Sequence, residues 1–215
     1  MLQQRALSAA ALAGAGTYTP SFVGAESSST TTINVASGAQ PGDFALLFGS
    51  TPDLRSGWTQ SYNQTGSLPF FEAHYTFLPD PVPSSYTFTN MRLGILLIFR
   101  NVDSSTPLDV SVPTLATTNT SPAVTTVNER CLIVVGFGCY AGFTDLNIPG
   151  APTGYSLAST QYDPDFSNYW FAAAYKAAPA IDTYTPTAWQ DTSTGSDYSS
   201  SNMAAGTIAL RGAAI

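Results

Sequence analysis

Short apolar runs recur along this chain, each closed after a few residues by Gly, Pro, Asp or Asn. That rhythm belongs to β-strands joined by turns, because a helix needs apolar positions spaced over ten or more uninterrupted residues. The strands expected from it are TTINV (31–35), DFALLFGS (43–50), GWTQSY (57–62), FFEAHYTFL (70–78), SYTFT (85–89) and LGILLIFRN (93–101). They continue with AVTTV (123–127), RCLIVVGFGCY (130–140), GYSLAST (154–160), NYWFAAAYK (168–176) and AAGTIALRG (204–212). QPGD, LPDPVPSS, NVDSSTP and IPGAPTG are loops by their turn chemistry. No linker divides the series. The expectation is an all-β protein: one antiparallel two-sheet β-sandwich, jelly-roll-like, over residues 21–215. Residues 1–20, which begin MLQQRALSAAALAGAG, read as an N-terminal arm or short helix, with a short secretory signal as the competing reading. No stretch of 18 apolar residues is present to span a membrane as a helix.

Two of these runs constrain the surroundings of the strands. Ile95 to Phe99 are five large apolar residues without polar alternation, so the strand is buried on both faces. In a two-layer sandwich the second covering must come from a loop, from the arm or from another chain, and assembly with copies of itself is the economical expectation. The run CLIVVGFGC carries the only two cysteines. In one extended strand Cys131 and Cys139 share a face but stand roughly 26 Å apart at a rise of about 3.3 Å per residue. A disulfide needs Cα atoms within about 7 Å, so two free thiols in a core are expected. Alternation places Gly136 and Gly138 opposite Ile133 and Val135. Grouped with Ala172, Ala174, Ala209 and Trp170, they suggest a flat outer face. Glycine within a strand marks a close approach of something else. Gly136, Gly138 and Trp170 are therefore contact candidates for a neighbouring subunit or a stacked sugar ring, unless a loop or the arm covers them.

Charged residues are only 10% of the chain, against about 25% in an ordinary soluble domain. Ser and Thr, about a quarter of the residues, take their place. Such an exterior suits a protein shielded by neighbours or displayed outside the cell. The net charge of −7 and the scattering of seven basic residues argue against nucleic acid as a partner.

Catalytic chemistry has little to work with. His74 is the sole histidine and shares strand parity with Glu72, which could make a base and its orienter, or a solvated polar face. No G-x-S-x-G elbow accompanies it. Glycoside hydrolysis needs two carboxylates about 5–9 Å apart, and the acidic residues stand singly in turns. Asp163, Asp165 and Asn168 in YDPDFSN offer oxygen ligands for calcium, or ordinary turn residues. Trp189, followed by the polar segment that holds Asp191 and Tyr198, combines flat aromatic area with hydrogen-bonding groups, as glycan or partner contacts do.

The succession INVASGAQPGDFALLFGST, GWTQ, YTFT, LGILLIFRNVDSSTPLD, VNERCLIVVGF, PTGYSLAST, FAAAYKAA and GTIALRG, over roughly residues 20–212, resembles one family. It is that of β-sandwich surface proteins of tailed-phage virions and related gene-transfer particles. The resemblance implies a non-enzymatic virion component: a head spike base, a decoration protein, or a tail fibre or baseplate piece. It implies a place on an extracellular particle, with copies of itself and other virion proteins as partners and host polysaccharide as a further contact. No catalytic residue and no cofactor come with it. The alternative reading is a secreted carbohydrate-binding module.

Overall fold

The structure, a computed structural model, describes residues 17–50, 53–64, 71–110, 114–140, 148–163, 169–192 and 202–215. All regular elements among them are strands. The first half supplies β1 (Ser21–Ser28), β2 (Thr32–Asn34), β3 (Phe44–Gly49), β4 (Thr59–Gln64), β5 (Phe71–Phe77), β6 (Ser85–Thr87) and β7 (Gly94–Arg100). The second supplies β8 (Thr114–Ala116), β9 (Val124–Thr125), β10 (Cys131–Tyr140), β11 (Pro149–Gly150), β12 (Ser156–Asp163), β13 (Tyr169–Ala178), β14 (Thr183–Tyr184), β15 (Gln190–Asp191) and β16 (Asn202–Leu210). Two five-stranded antiparallel sheets result, in the orders β1-β7-β3-β5-β4 and β12-β13-β10-β16-β8. Each sheet is drawn from one half of the chain. A jelly-roll wrap, which alternates strands between the sheets, is therefore not the connectivity.

The halves share one topology. Replacing β1, β7, β3, β5 and β4 by β8, β16, β10, β13 and β12 turns the first sheet order into the second, and the flap β2–β6 corresponds to β14–β9. Local details repeat as well. Gly57 and Gly154, with φ of 83° and 80°, take the left-handed conformation just before β4 and β12. Trp58 N donates to Arg55 O, and Tyr155 N to Pro152 O, in the turns at those glycines. A bulge follows in each edge strand, between Gln60 and Tyr62 and between Leu157 and Ser159. Tyr75 and Tyr175 pair with the first residues of these strands, Thr59 and Ser156. In the assembled sandwich β1 lies across from β12 and β4 across from β8. A half-turn about an axis along the strands thus exchanges the two halves.

The sheets meet through their large side chains. Phe44, Leu46, Phe48, Phe71, Ile95, Leu97 and Phe99 of the first pack on Leu132, Val134, Phe171, Ile208 and Leu210 of the second. Gly136 and Gly138 face this interior and not the outside. The register pairs them with Ala173 and Phe171, so Trp170, Ala172 and Ala174 belong to the opposite face. What approaches Gly136 is the other sheet, and what approaches Gly138 is Phe171 of its own sheet together with Phe71 of the other. A Cβ on Gly136 would stand 2.8 Å from both Phe48 and Phe71, and one on Gly138 3.1 Å from Phe71. Gly206, the cross-strand partner of Gly136, is overlain by the Tyr62 ring. The Phe48 and Phe71 rings stack at 5.5 Å, and Phe71 meets Phe171 edge-on at 5.4 Å.

Both outer faces are covered by the chain itself. Over the first sheet, Ile33, Trp58, Leu78, Tyr86, Phe88 and Met91 close on Ala45, Leu47, Leu96 and Ile98. Trp58 is met edge-on by Tyr86 at 5.1 Å and by Phe88 at 5.2 Å. Over the second, Trp189, Val124, Tyr184, Tyr155, Val110 and Ala151 close on Ile133, Val135, Phe137, Ala172, Ala174 and Ala209. The doubly apolar strand β7 is thus satisfied within the molecule, and its composition calls for no second chain. Most of the expected N-terminal arm lies outside the described residues; Thr17 forms a bridge with Ala214. Gly136→Val, which drives a branched side chain into Phe48 and Phe71, is expected to cost about 1–3 kcal/mol of stability, read from the midpoint of urea unfolding.

Candidate functional site

The residues singled out from the sequence divide between core, edge and undescribed segments. Trp189 is wholly buried. Its ring stacks on Phe137 at 5.4 Å, its indole N–H donates to Ser121 Oγ at 3.1 Å and its backbone N–H to Asn119 O at 2.8 Å. It fastens the cover to the second sheet and presents no surface to a ligand. Asp191 is largely buried too, at the end of β15 opposite Pro149. Trp170, 7% exposed, stacks at 4.6 Å against Tyr162 of the neighbouring edge strand, so the face expected to receive a sugar is occupied from within. Asp163 is buried at the end of β12 opposite Tyr169. Tyr198, Asp165 and Asn168 lie outside the described residues, and among the described residues no three His, Cys, Asp or Glu side chains gather as a metal site.

A polar cluster does form, in a place where the sequence suggested a wet face. Glu72 and His74 of β5 point into the layer between the first sheet and its cover, with side chains 6% and 0% exposed. Glu72 Oε2 accepts from Gln60 Nε2 at 3.1 Å and lies 2.9 Å from His74 Nε2. His74 Nδ1 has no hydrogen-bond partner. Equivalent positions in the second half carry Leu157, Ala172 and Ala174, so the architecture does not require the cluster. A base must come within hydrogen-bond reach of a substrate, and this pair is sealed.

An accessible recess lies elsewhere, at the pole where β1 and β3 end and β7 begins. Ser29, Thr30, Thr31, Thr89, Asn90, Met91 and Arg92 line an open cleft of about 480 Å³. Side-chain hydroxyls are bonded beside it: Ser28 Oγ and Thr30 Oγ1 at 3.0 Å, Thr30 Oγ1 donating to Thr32 O at 3.1 Å, and Thr32 Oγ1 and Thr87 Oγ1 at 3.0 Å. Asn90 Nδ2 donates to Asp53 Oδ1 at 2.8 Å. Arg55 reaches Thr87 O at 2.8 Å with its guanidinium 5.2 Å from the Tyr86 ring centre. The available signal in the sequence was the hydroxyl run SSSTTT over residues 27–32, which spans the end of β1 and the start of β2. No family model, curated protein or solved structure matches this chain.

The thiols are inert by placement. Cys131 and Cys139 are fully buried thiols not joined in a disulfide. Burial, and after it the carboxylate of Asp109, pushes the Cys131 thiol up to about 12, which leaves almost no thiolate at neutral pH. Native protein is expected to be unreactive toward a disulfide reagent at mildly alkaline pH and to show both thiols on unfolding without reductant. Glu72→Ala, which leaves the buried His74 Nε2 without its partner, is expected to cost about 1–3 kcal/mol by urea titration. Glu72→Gln retains an acceptor oxygen and is expected to cost less.

Proposed function

We propose that this chain is a non-enzymatic structural component of a tailed-phage-like virion surface, seated by one pole and exposing the other. The observation that carries this reading is the composition of the pole where the described chain begins and ends. There Tyr18, Val127, Ile181 and Ile215 are 48%, 59%, 58% and 66% exposed. They are brought together by backbone contacts. Thr17 bridges Ala214, Tyr18 N donates to Ala213 O, and Arg130 Nη1 donates to Thr17 O. Thr126 N donates to Asp182 O, which sets Val127 and Ile181 side by side as the next pair of the β9–β14 ladder. Exposed β-branched and aromatic side chains at one end of a molecule mark a contact face. Copies of the same chain and other virion proteins are the partners this reading assigns to it. The charge-poor, hydroxyl-rich exterior and the order of the sequence segments support the same assignment.

A secreted carbohydrate-binding module is the second reading, favoured by the open polar cleft at the opposite pole. The two differ in the state of the protein. A virion component is expected to sediment with particles from the producing culture and, when purified, to show by light scattering a mass above the 22.6 kDa of one chain. The double variant Val127→Glu/Ile181→Glu is expected to return it to a monomer without lowering its melting temperature. A wild-type chain that stays monomeric at high concentration and is recovered only in the particle-free supernatant would overturn the proposal.

A further inference from the structure

The two halves differ most usefully at the cleft. In the second half the corresponding segments are zipped together. Thr120 bridges Ala188, Trp189 N donates to Asn119 O, and β11 pairs with β15 just beyond. In the first half the zip stops at Phe88 N donating to Thr31 O at 2.8 Å. Met91 N then turns back to Phe88 O, and Met91 is buried as the counterpart of Trp189. Among the described residues no backbone hydrogen bond joins residues 89–92 to residues 29–30, and both segments line the cleft. The opening is therefore a property of these residues and not of the topology.

Its volume, about 480 Å³, lies in the range of small-ligand sites. Its chemistry is specific in sign. The lining offers four hydroxyls, one amide and one guanidinium, and no carboxylate. Asp53 accepts a hydrogen bond from Asn90 at the edge of the cleft, and Arg55 adds a second cation beside Thr87. On a chain of net charge −7 this corner carries two of the seven basic residues. The Thr30 hydroxyl, held by Ser28 and Thr32, can receive a ring hydroxyl at little entropic cost, and a guanidinium pairs with a carboxylate through parallel N–H bonds.

We propose that this cleft is a binding site for an acidic sugar unit, a uronic acid within a saccharide. Arg92 takes the carboxylate, and the Ser29–Thr31 and Thr89 hydroxyls take the ring. The site is independent of whether the opposite pole is a seat, so a monomeric protein can carry it. The test uses the full chain, isotope-labelled, with amide shifts followed during addition of tri-galacturonate, maltotriose or inorganic sulfate. Tri-galacturonate is expected to give saturable shifts confined to residues 29–31 and 89–92. Arg92→Gln is expected to weaken it about ten-fold, the loss of one charge-assisted contact. Thr89→Glu, which sets a like charge in the cleft on an exposed position, is expected to abolish it and stands in should the Arg92 variant misfold. Absence of saturable shifts with tri-galacturonate would overturn the proposal. So would equal binding of maltotriose, which removes the role of the acid, or equal binding of sulfate, which reduces the site to an anion contact.

Discussion

Everything in this molecule is arranged around aromatic rings lying on glycine. Phe48, Phe71 and Tyr62 of the first sheet press against Gly136, Gly138 and Gly206 of the second, where no Cβ keeps the layers apart. The gain is dense contact between flat rings and bare backbone, with ring–ring contacts among the aromatics themselves. The cost is a second sheet with few large side chains along that patch, Phe171 being one, so that it depends on the first to fill the rest. Neither sheet has its core without the other. Since each is made by one half of the chain, the halves are obliged to fold against each other.

Much of this could be read from the residues, and the limits have physical reasons. Every long buried strand was legible: 43–50, 70–78, 93–101, 130–140, 168–176 and 204–212 all overlap observed strands, because apolar runs between turn residues admit little else. β1 was not, since SFVGAESS is small and polar and serves as an edge strand. The direction in which Gly136 and Gly138 face was assigned the wrong way because parity within one strand says nothing about its neighbour until the register is known. Trp189 looked like a surface aromatic because it borders a polar segment, yet one indole was needed to close the second sheet. The apolar run of β7 suggests partners, yet the flap and loops of the same chain supply its cover.

The duplication had a signature that goes unnoticed when strands are considered singly. Tyr75, Pro79, Tyr86, Thr87 and Thr89 are matched by Tyr175, Pro179, Tyr184, Thr185 and Thr187, almost in step. These positions set the exit from the long strand and the return of the flap, which both halves must make alike. Core positions drift because size can be traded across the interface: Phe48 stands where the other half has Gly136, and Gly49 where it has Phe137. The cleft was invisible for a different reason. Ser and Thr are so abundant here that a hydroxyl-lined recess does not differ in composition from the rest of the exterior.

The near two-fold relation between the halves has an effect on what such a protein can present. A pair of identical subunits around the same axis would display every surface feature twice, so an opening on one would be an opening on both. Joining the two copies in one polypeptide removes that obligation. One copy can be closed with a tryptophan while the other is left ajar, and one can hold a histidine–glutamate pair where the other has alanines. Asymmetry of this kind lets a scaffold that is almost repetitive inside offer a single, unrepeated surface to whatever it meets.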